Sequence, residues 1–246
     1  MEGEKIALIT GALGGIGKTL CQGFKKNGWT VIASDIFDKK SIEADYFINI
    51  DLDSLCYDHI YRKEKIDDIK KICSGRLDLL INNGALQIVS SIGNISLKDW
   101  QKTLNVNLTA PFILCTEMLN ELTAAQGSVI NISSIHEKLT KPNFLSYATS
   151  KSGLAGLTRS LAVEIGDKVR VNSISPGAIS TKMLQDGFID NPIGLDSLAN
   201  FHPSKSIGTT TDVLDAALYL ANGNKFVNGT DMTLDGGISS RLNDPV

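Results

Sequence analysis

The chain has 246 residues, of which 42% are apolar and 21% are charged, and its formal net charge is −3. These values are typical of a soluble globular protein, and the length suits one α/β domain. The slightly negative charge argues against a nucleic-acid partner or an anionic membrane surface. No apolar run approaches the roughly 20 residues that a membrane-spanning helix needs.

Neither the N-terminus nor the cysteines indicate a secreted protein. The first residues are acidic and run directly into an apolar strand, so no signal peptide is predicted. Cys21, Cys56, Cys73 and Cys115 lack the spacing of metal knuckles or redox motifs. We therefore expect a cytoplasmic protein with reduced thiols and without a metal site.

The beginning of the chain predicts a strand, a glycine-rich turn, a helix and a second strand. The apolar run at 5–10 is followed by several glycines at 11–17. A helical pattern then ends at Gly28, and the run at 29–34 is again apolar. A strand, helix and strand within about 30 residues form the βαβ unit of parallel sheets.

Strands and helices go on alternating along the rest of the chain. Apolar runs predict further strands at 46–50, 77–81, 128–133, 169–174 and 230–234. Helical patterns fill the stretches between them, including one at 97–122 that is interrupted near 107–111. The alternation predicts an α/β fold, a Rossmann-like doubly wound parallel sheet of about seven strands with helices on both faces.

One domain, spanning 1–246, accounts for the whole pattern, because no linker, repeat or low-complexity tract divides it. Regular periodicity is lost after Gly177 and returns near Lys205. Long irregular segments often cover binding sites. We therefore predict a substrate loop at about 182–205.

Tyr147 and Lys151 form the first candidate catalytic pair. They lie four residues apart in a helical pattern, which places both side chains on one face, one turn apart. An ammonium group beside a phenol favours the phenolate and lowers the tyrosine pKa from its usual value of about 10. Such a tyrosine could exchange a proton with an alcohol or ketone oxygen near neutral pH.

The glycine-rich turn is a candidate phosphate site. Gly11, Gly15 and Gly17 open the first helix directly after the first strand, where backbone amides suit a pyrophosphate. Asp35 ends the second strand, and a carboxylate there accepts hydrogen bonds from ribose hydroxyls and repels a 2′-phosphate. The nearest basic residues after Asp35 are Lys39 and Lys40. The charges favour NAD over NADP.

Together, these motifs resemble those of the short-chain dehydrogenase/reductase family over nearly the full chain. The stretch from Thr10 to Gly17 is similar to that family's cofactor loop, and Asp235-Gly-Gly237 matches its closing turn. At 82–85 the chain has Asn-Asn-Gly-Ala, where the family usually has Asn-Asn-Ala-Gly. The resemblance implies cofactor contacts from Gly11, Leu13, Gly14, Gly15, Ile16, Gly17, Asp35, Ile36, Asp51, Leu52, Asn82, Gly84, Tyr147, Lys151, Pro176, Gly177, Ile179 and Thr181.

The resemblance also implies a catalytic set of Asn107, Ser134, Tyr147 and Lys151. Ser134, 13 residues before Tyr147, would hold the substrate oxygen, and Tyr147 would be the acid/base. Lys151 would also hold the nicotinamide ribose. Asn107 would position a water in a proton path from Lys151 to solvent, although Ala110 replaces a usual glycine. Hydride transfer between a secondary alcohol or ketone and the nicotinamide is then the expected reaction.

Two polar residues are candidates for substrate recognition. Gln87 and His136 occupy positions that resemble the carboxylate ligands of the family's D-3-hydroxybutyrate dehydrogenases. Those enzymes carry a lysine three residues before the tyrosine, where this chain has Phe144, and Lys141 is the nearby substitute. A hydroxy acid, a polyol and a sugar-derived alcohol all stay open as substrates.

Two alternatives to an NAD-dependent dehydrogenase remain. One is an NADP-dependent ketoreductase similar to 3-oxoacyl reductases, which Asp35 disfavours. The other is a non-catalytic dinucleotide sensor, which the presence of serine, tyrosine and lysine disfavours. Family members are usually dimers or tetramers, so a homo-oligomer is expected. The C-terminal tail after Ile238 is expected either on a neighbouring subunit or as a frayed end.

Overall fold

A computed structural model describes residues 4–38, 42–186 and 192–242. These residues form a parallel sheet of seven strands in the order β3-β2-β1-β4-β5-β6-β7. The predicted fold is therefore confirmed. The strands are β1 (Ile6–Thr10), β2 (Thr30–Asp35), β3 (Tyr46–Asn49), β4 (Leu79–Asn82), β5 (Ser128–Ile132), β6 (Arg170–Pro176) and β7 (Asp231–Leu234).

Helices connect the strands across both faces of the sheet. Within the described ranges, none of them has the length and hydropathy needed to cross a bilayer. The α-helices are α1 (Gly15–Lys26), α2 (Ser54–Tyr57), α3 (His59–Cys73), α4 (Leu97–Leu104), α5 (Ala110–Glu117), α6 (Leu119–Ala125), α7 (Leu145–Glu164), α8 (Lys182–Asp186), α9 (Pro192–Phe201) and α10 (Thr210–Asn222).

Alternate side chains of each strand enter two separate cores, because successive residues of a strand point to opposite faces. Ala7 and Ile9 of β1 pack in one core with residues of α1 and α10. Leu8 packs in the other core with residues of α3, α5 and α6. Since both faces are buried, β1 and β4 are almost continuously apolar, and this explains why they could be predicted from the sequence.

The sheet reverses its strand order beside β1, which pairs with β2 on one side and β4 on the other. Ligands of such sheets bind at the carboxyl ends of the strands, at this reversal. The glycine-rich turn follows β1 at this edge, and Asp35 ends β2 there. The segments that follow β4, β5 and β6 start at the same edge.

The interruption predicted near 107–111 corresponds to a change from α-helix to π-helix. Residues Asn105–Thr109 form a π-helix between α4 and α5. Pro111 is the second residue of α5 and lies directly after this π-helix, where it lacks the N–H that would continue the backbone ladder. A further break at Met118 separates α5 from α6 and was not predicted.

The prediction that 182–205 is irregular is wrong for most of the segment, because it contains α8 and α9. Thr181 Oγ1 accepts a hydrogen bond from Leu184 N at 3.3 Å and so supports the first turn of α8. Pro192 is the first residue of α9, a position that suits proline. Helices this short carry too few residues to show a clear period. Residues 187–191 lie outside the described ranges.

Candidate active site

The turns that follow β1 and β4 are bound tightly to each other. Thr10 Oγ1 accepts hydrogen bonds from the N–H groups of Asn83 and Gly84, both at 3.0 Å. The Asn83 amide donates to the Thr10 and Gly11 carbonyls at 2.9 and 3.0 Å. A Cβ at Gly11, whose φ is +61°, would lie 2.6 Å from Gly84 Cα. Only glycine allows this approach.

No role was predicted from the sequence for Thr10 or for the Asn83 side chain. Both lie in the motifs quoted above, Thr10 at the start of the cofactor loop and Asn83 in Asn-Asn-Gly-Ala. The signal that identifies them is their position at the carboxyl ends of two adjacent strands. A hydroxyl and an amide there can satisfy the backbone groups of two glycine turns.

The N-terminus of α1 fits an anionic group. Gly14 is the N-cap residue and forms no side-chain cap, so the first N–H groups of the helix lack the usual oxygen acceptor. A Cβ at Gly17 would lie 2.1 Å from Gly11 O, so the turn can close only with glycine. Thr181 lies against Gly15, since a Cβ there would be 3.0 Å from Thr181 Cγ2. Ile16 packs against the α1–α10 core.

Asp35 is held beside this turn by backbone hydrogen bonds. Its carboxylate accepts from Leu13 N at 2.9 Å and from Phe37 N at 3.3 Å, and the residue is 9% exposed. Ile36, the next residue, is 48% exposed at the surface of the site. The two lysines that follow, Lys39 and Lys40, lie outside the described residues.

Asp51 and Leu52, which resemble the pair of residues that contacts adenine in the family, lie on the other side of the β4 turn. Leu52 packs on Gly84, because a Cβ at that glycine would lie 2.6 Å from Leu52 Cδ1. The Asp51 carboxylate accepts from Asp53 N at 3.0 Å and from Ser54 Oγ at 2.8 Å. Leu52 therefore reaches the turn after β4, whereas the Asp51 side chain is held within its own segment.

Asn82, at the end of β4, is buried and donates its amide to Asn131 Oδ1 of β5 at 2.8 Å. Its own Oδ1 is buried and has no partner among the described residues. On the far side, Pro176 ends β6 and Gly177 lies against Asp235, where a Cβ would be 3.0 Å from Asp235 Cβ. Ile179 is buried and pairs with Gly208 in an isolated parallel bridge. These residues line the edge near β4 to β7.

Ser134, Tyr147 and Lys151 meet where β5 joins α7. Ser134 is buried, and its side chain lowers the pKa of Tyr147 through a hydrogen bond. Lys151 Nζ lies 5.6 Å from the centroid of the Tyr147 ring and donates to Ile132 O at 2.7 Å. Lys151 is 2% exposed, so its ammonium group is enclosed by protein.

The pKa prediction for Tyr147 is wrong in this structure. Burial raises the pKa of Tyr147, and the hydrogen bond from Ser134 only partly opposes that rise. Burial also lowers the pKa of Lys151 from 10.5 to about 8. The charged forms of both groups lose hydration when they are buried, and this cost exceeds the benefit of placing them one helical turn apart.

Asn107 lies in the π-helix and is fully buried. Its Oδ1 accepts from Leu86 N at 2.7 Å, and its Nδ2 donates to Leu86 O and to Ser150 Oγ, both at 2.9 Å. Ser150 lies on α7, the helix that carries Tyr147 and Lys151, directly before Lys151. The Asn107 side chain thus joins the segment after β4 to α7, and its hydrogen bonds leave the side chain no free donor.

The residues around Tyr147 form an aromatic wall. His136 stacks on Phe144 with ring centroids 4.7 Å apart and an angle of 7°, and both rings meet Tyr147 edge to face. Lys141 Nζ lies 4.6 Å from the Phe144 ring centroid. Burial, and secondarily Lys141, lower the pKa of His136, so its imidazole is neutral at pH 7. Gln87 is half-buried after β4 and makes no hydrogen bond within the described residues.

The start of the C-terminal tail packs on its own chain. Arg241 donates to Phe201 O at 3.1 Å and stacks on the Phe201 ring at 5.0 Å. Asp235 accepts from the N–H groups of Gly237 and Ser239, both at 2.9 Å. Up to Arg241 the tail therefore packs against the end of α9 of its own chain, which argues against a frayed end for this part.

Comparison with known proteins identifies the family. A family model described as enoyl-(acyl carrier protein) reductase matches residues 11–239. The 3beta-hydroxysteroid dehydrogenase 1 of Eggerthella lenta is 30% identical over 256 residues, 96% of this chain and 94% of that protein. The trans-4-hydroxycyclohexanecarboxylate dehydrogenase of Sinomonas cyclohexanicum is 30% identical, covering 95% of this chain and 92% of that protein.

Solved structures with a similar fold support the same assignment. The ligand-free aldohexose dehydrogenase of Thermoplasma acidophilum superposes with a TM-score of 0.91 at 26% identity, covering 99% of this chain and 97% of that one. ElxO with NADP (TM-score 0.86, 30% identity) and 4-hydroxyisoleucine dehydrogenase with NADH (0.85, 28%) each cover 97% of this chain and 100% of theirs.

The chain therefore belongs to the short-chain dehydrogenase/reductase family, as the motifs indicated. It is an NAD(P)-dependent oxidoreductase that acts on CH–OH groups.

Proposed function

We propose that this protein is an NAD-dependent dehydrogenase that interconverts a secondary alcohol and a ketone. The observation that carries the proposal is the meeting of Ser134, Tyr147 and Lys151 at the sheet edge that also holds the glycine turn. An acid/base beside a dinucleotide site is what hydride transfer to or from a carbinol carbon requires.

Each residue has a separate part in the reaction. The bound nicotinamide accepts or supplies the hydride. Tyr147 takes the proton from the alcohol oxygen during oxidation and returns it during reduction, and Ser134 hydrogen-bonds the same oxygen. Lys151, which exchanges protons near pH 8, favours the phenolate when it is charged. Asn107 holds the catalytic helix in register with the segment after β4.

We propose NAD as the preferred cofactor because of Asp35. Its carboxylate is fixed beside the glycine turn by Leu13 N, where a 2′-phosphate would meet a negative charge. The next residue, Ile36, offers that phosphate no positive charge. Solved relatives include complexes with NADP and with NADH, so the preference must come from residues of this chain.

We propose a hydroxy acid as the substrate class. The His136–Phe144 wall presents flat apolar surface to a carbon skeleton bound at Tyr147, and Lys141 places a positive charge at the Phe144 end of that wall. His136 Nδ1 is paired with Thr140 Oγ1, while Nε2 has no partner within the described residues. An acid whose carboxylate is separated from the carbinol by several carbons fits this arrangement. One relative is named for such a substrate, trans-4-hydroxycyclohexanecarboxylate.

The proposal is tested by NADH formation from NAD with hydroxy acids, polyols and cyclic alcohols. We expect turnover with the acids, and we expect Tyr147→Phe to lower kcat by at least about 10³-fold while NADH binding, followed by fluorescence, is retained. Normal turnover by Tyr147→Phe would exclude Tyr147 as the acid/base.

Lys141→Met, assayed in parallel, tests the substrate class. It should raise KM for acids by about tenfold and leave KM for neutral alcohols unchanged, because only the acids lose a charge partner. Activity confined to neutral alcohols would reject the hydroxy-acid proposal and leave the reaction chemistry intact.

We also propose that the protein is a homodimer or homotetramer. Support comes from large apolar side chains that α4, α5 and α7 leave exposed, namely Leu97 (80%), Phe112 (48%) and Val163 (87%). Apolar surface of this kind is often covered by a second copy of the chain.

A further inference from the structure

Glu137 is a buried carboxylate for which the reaction described above has no use. It lies three residues after Ser134, in the short 3₁₀-helix Ile135–Glu137 between β5 and α7. Its side chain is only 2% exposed. Burying a carboxylate is costly unless hydrogen bonds and an opposite charge compensate for it.

Both carboxylate oxygens have partners. Oε2 accepts from Ser133 Oγ at 3.2 Å, and Oε1 pairs with Lys138 Nζ at 3.0 Å. Lys138 Nζ also reaches Asp231 Oδ2 of β7 at 3.3 Å. Asp231 in turn accepts from the hydroxyls of Ser173 and Ser175 on β6. The glutamate therefore connects the residue before Ser134 to the last two strands of the sheet.

The backbone of Glu137 makes two further contacts. Its N–H donates to Ser134 O at 2.9 Å, and its carbonyl accepts from Ser152 Oγ of α7 at 2.7 Å. Within the same turn, Ser134 Oγ accepts from His136 N at 3.2 Å. Glu137 therefore contacts the residue before Ser134 through its carboxylate and Ser134 itself through its N–H. One partner of Glu137, Ser152, is the residue directly after Lys151 on α7.

We propose that Glu137 is a positioning residue: its buried carboxylate binds Ser133 and Lys138 and so fixes the conformation of the turn that carries Ser134, so that Ser134 faces the Tyr147 hydroxyl. The proposal rests on the proposed function for its effect on turnover. Its structural part, the placing of Ser134 against Tyr147, does not depend on any substrate.

The experiment compares Glu137→Gln, Glu137→Ala and Lys138→Met with Glu64→Gln, a control that removes a carboxylate paired with Lys65 but 62% exposed. Kinetics are measured with the best substrate of the panel. The ¹³Cζ resonance of labelled Tyr147, assigned with Tyr147→Phe, reports on hydrogen bonding to its hydroxyl, and Ser134→Ala gives the reference shift for losing that bond.

We expect Glu137→Ala to lower kcat by about 10-fold or more, because small displacements in an active site are costly, while KM for NAD stays within about twofold. Its Tyr147 resonance should move in the direction seen in Ser134→Ala. Glu137→Gln keeps the shape and should show a smaller change of the same sign, as should Lys138→Met. Glu64→Gln should match the wild type.

The proposal is overturned if the Glu137 variants fold, melt at a lower temperature and yet keep the wild-type kcat and Tyr147 resonance, since Glu137 would then serve stability alone. If Glu137→Ala does not fold, Glu137→Gln and Lys138→Met decide by the same two measurements. If the wild type turns over no substrate of the panel, the resonance still tests the placing of Ser134, and only the proposed function fails.

Discussion

Tyr147 and Lys151 show how burial changes the chemistry of a catalytic pair. The ammonium group lies one helical turn from the phenol, Lys151 is buried and Tyr147 is partly buried, and loss of hydration is the first cause of both pKa shifts. Lys151 is held by the carbonyl of Ile132, a neutral acceptor that compensates its charge only in part. Lys151 can therefore change its charge in the pH range in which dehydrogenases work.

The pKa of Lys151 predicts a pH-dependent stability. Burial lowers that pKa from 10.5 to about 8, so between these values the unfolded chain binds more protons than the folded one. The free energy of unfolding should therefore rise with pH across this window, by on the order of 3 kcal/mol in total; below the window the cost of burying the charged group is present in full and does not change with pH.

Urea unfolding of the wild type and of Lys151→Met between about pH 7.5 and 10 measures this contribution. The difference between the two proteins should grow with pH in favour of the wild type. If the unfolding free energies of the two proteins depend on pH in the same way, Lys151 keeps an ordinary pKa in the folded protein.

Asp35 gives the second prediction for a single residue. Asp35→Asn keeps an oxygen that accepts the Leu13 N–H but removes the charge. We expect the ratio of kcat/KM for NADP to that for NAD to rise by about tenfold or more, because repulsion of the 2′-phosphate is lost. Steady-state assays with both cofactors measure the ratio, with Glu64→Gln as a control for net charge. An unchanged ratio would mean that another residue selects the cofactor.

The π-helix Asn105–Thr109 positions a side chain that links two segments of the site. Single turns of this kind often mark functional positions in helices. Here the wider turn carries Asn107, whose amide satisfies both backbone groups of Leu86 and a hydroxyl of the catalytic helix. The element therefore couples the segment after β4 to α7 through one side chain.

Removing that side chain should be costly to the fold. Asn107→Ala leaves the partly buried N–H and C=O groups of Leu86 without their partner and removes a fully buried amide, so we expect the free energy of unfolding to fall by about 3 kcal/mol. Asn49→Ala is a matched control, because its amide donates one bond to Ile36 O at an exposed site and should matter much less. Urea unfolding compares the two, and equal losses would contradict the coupling role.

At the scale of the whole molecule, the sheet could be predicted because its central strands are apolar on both faces. The candidate cofactor and catalytic residues could be proposed because strand ends and the family resemblance indicate their positions. Other features depend on contacts between distant segments. The burial of Glu137, the docking of Arg241 on Phe201 and the raised pKa of Tyr147 follow from packing that no local pattern records.

The oligomer prediction also belongs to this scale. Sedimentation should give a mass near two or four times that of the 26.5 kDa chain at micromolar concentration. Val163→Glu, on the exposed face of α7, should weaken the association, whereas Ile60→Glu, on an equally exposed site of α3, should not. A wild-type mass near that of one chain would contradict the prediction.

The contact between Gly84 and Leu52 bears on consensus engineering. A common strategy for stabilising a protein is to replace unusual residues by those that its relatives prefer. Here that strategy would restore Ala-Gly at 84–85. A methyl group at Gly84 would lie 2.6 Å from Leu52 Cδ1, so Leu52 would have to turn away from the predicted adenine position. A design that places alanine at 84 therefore has to make room for its methyl group by repacking the Leu52 side chain.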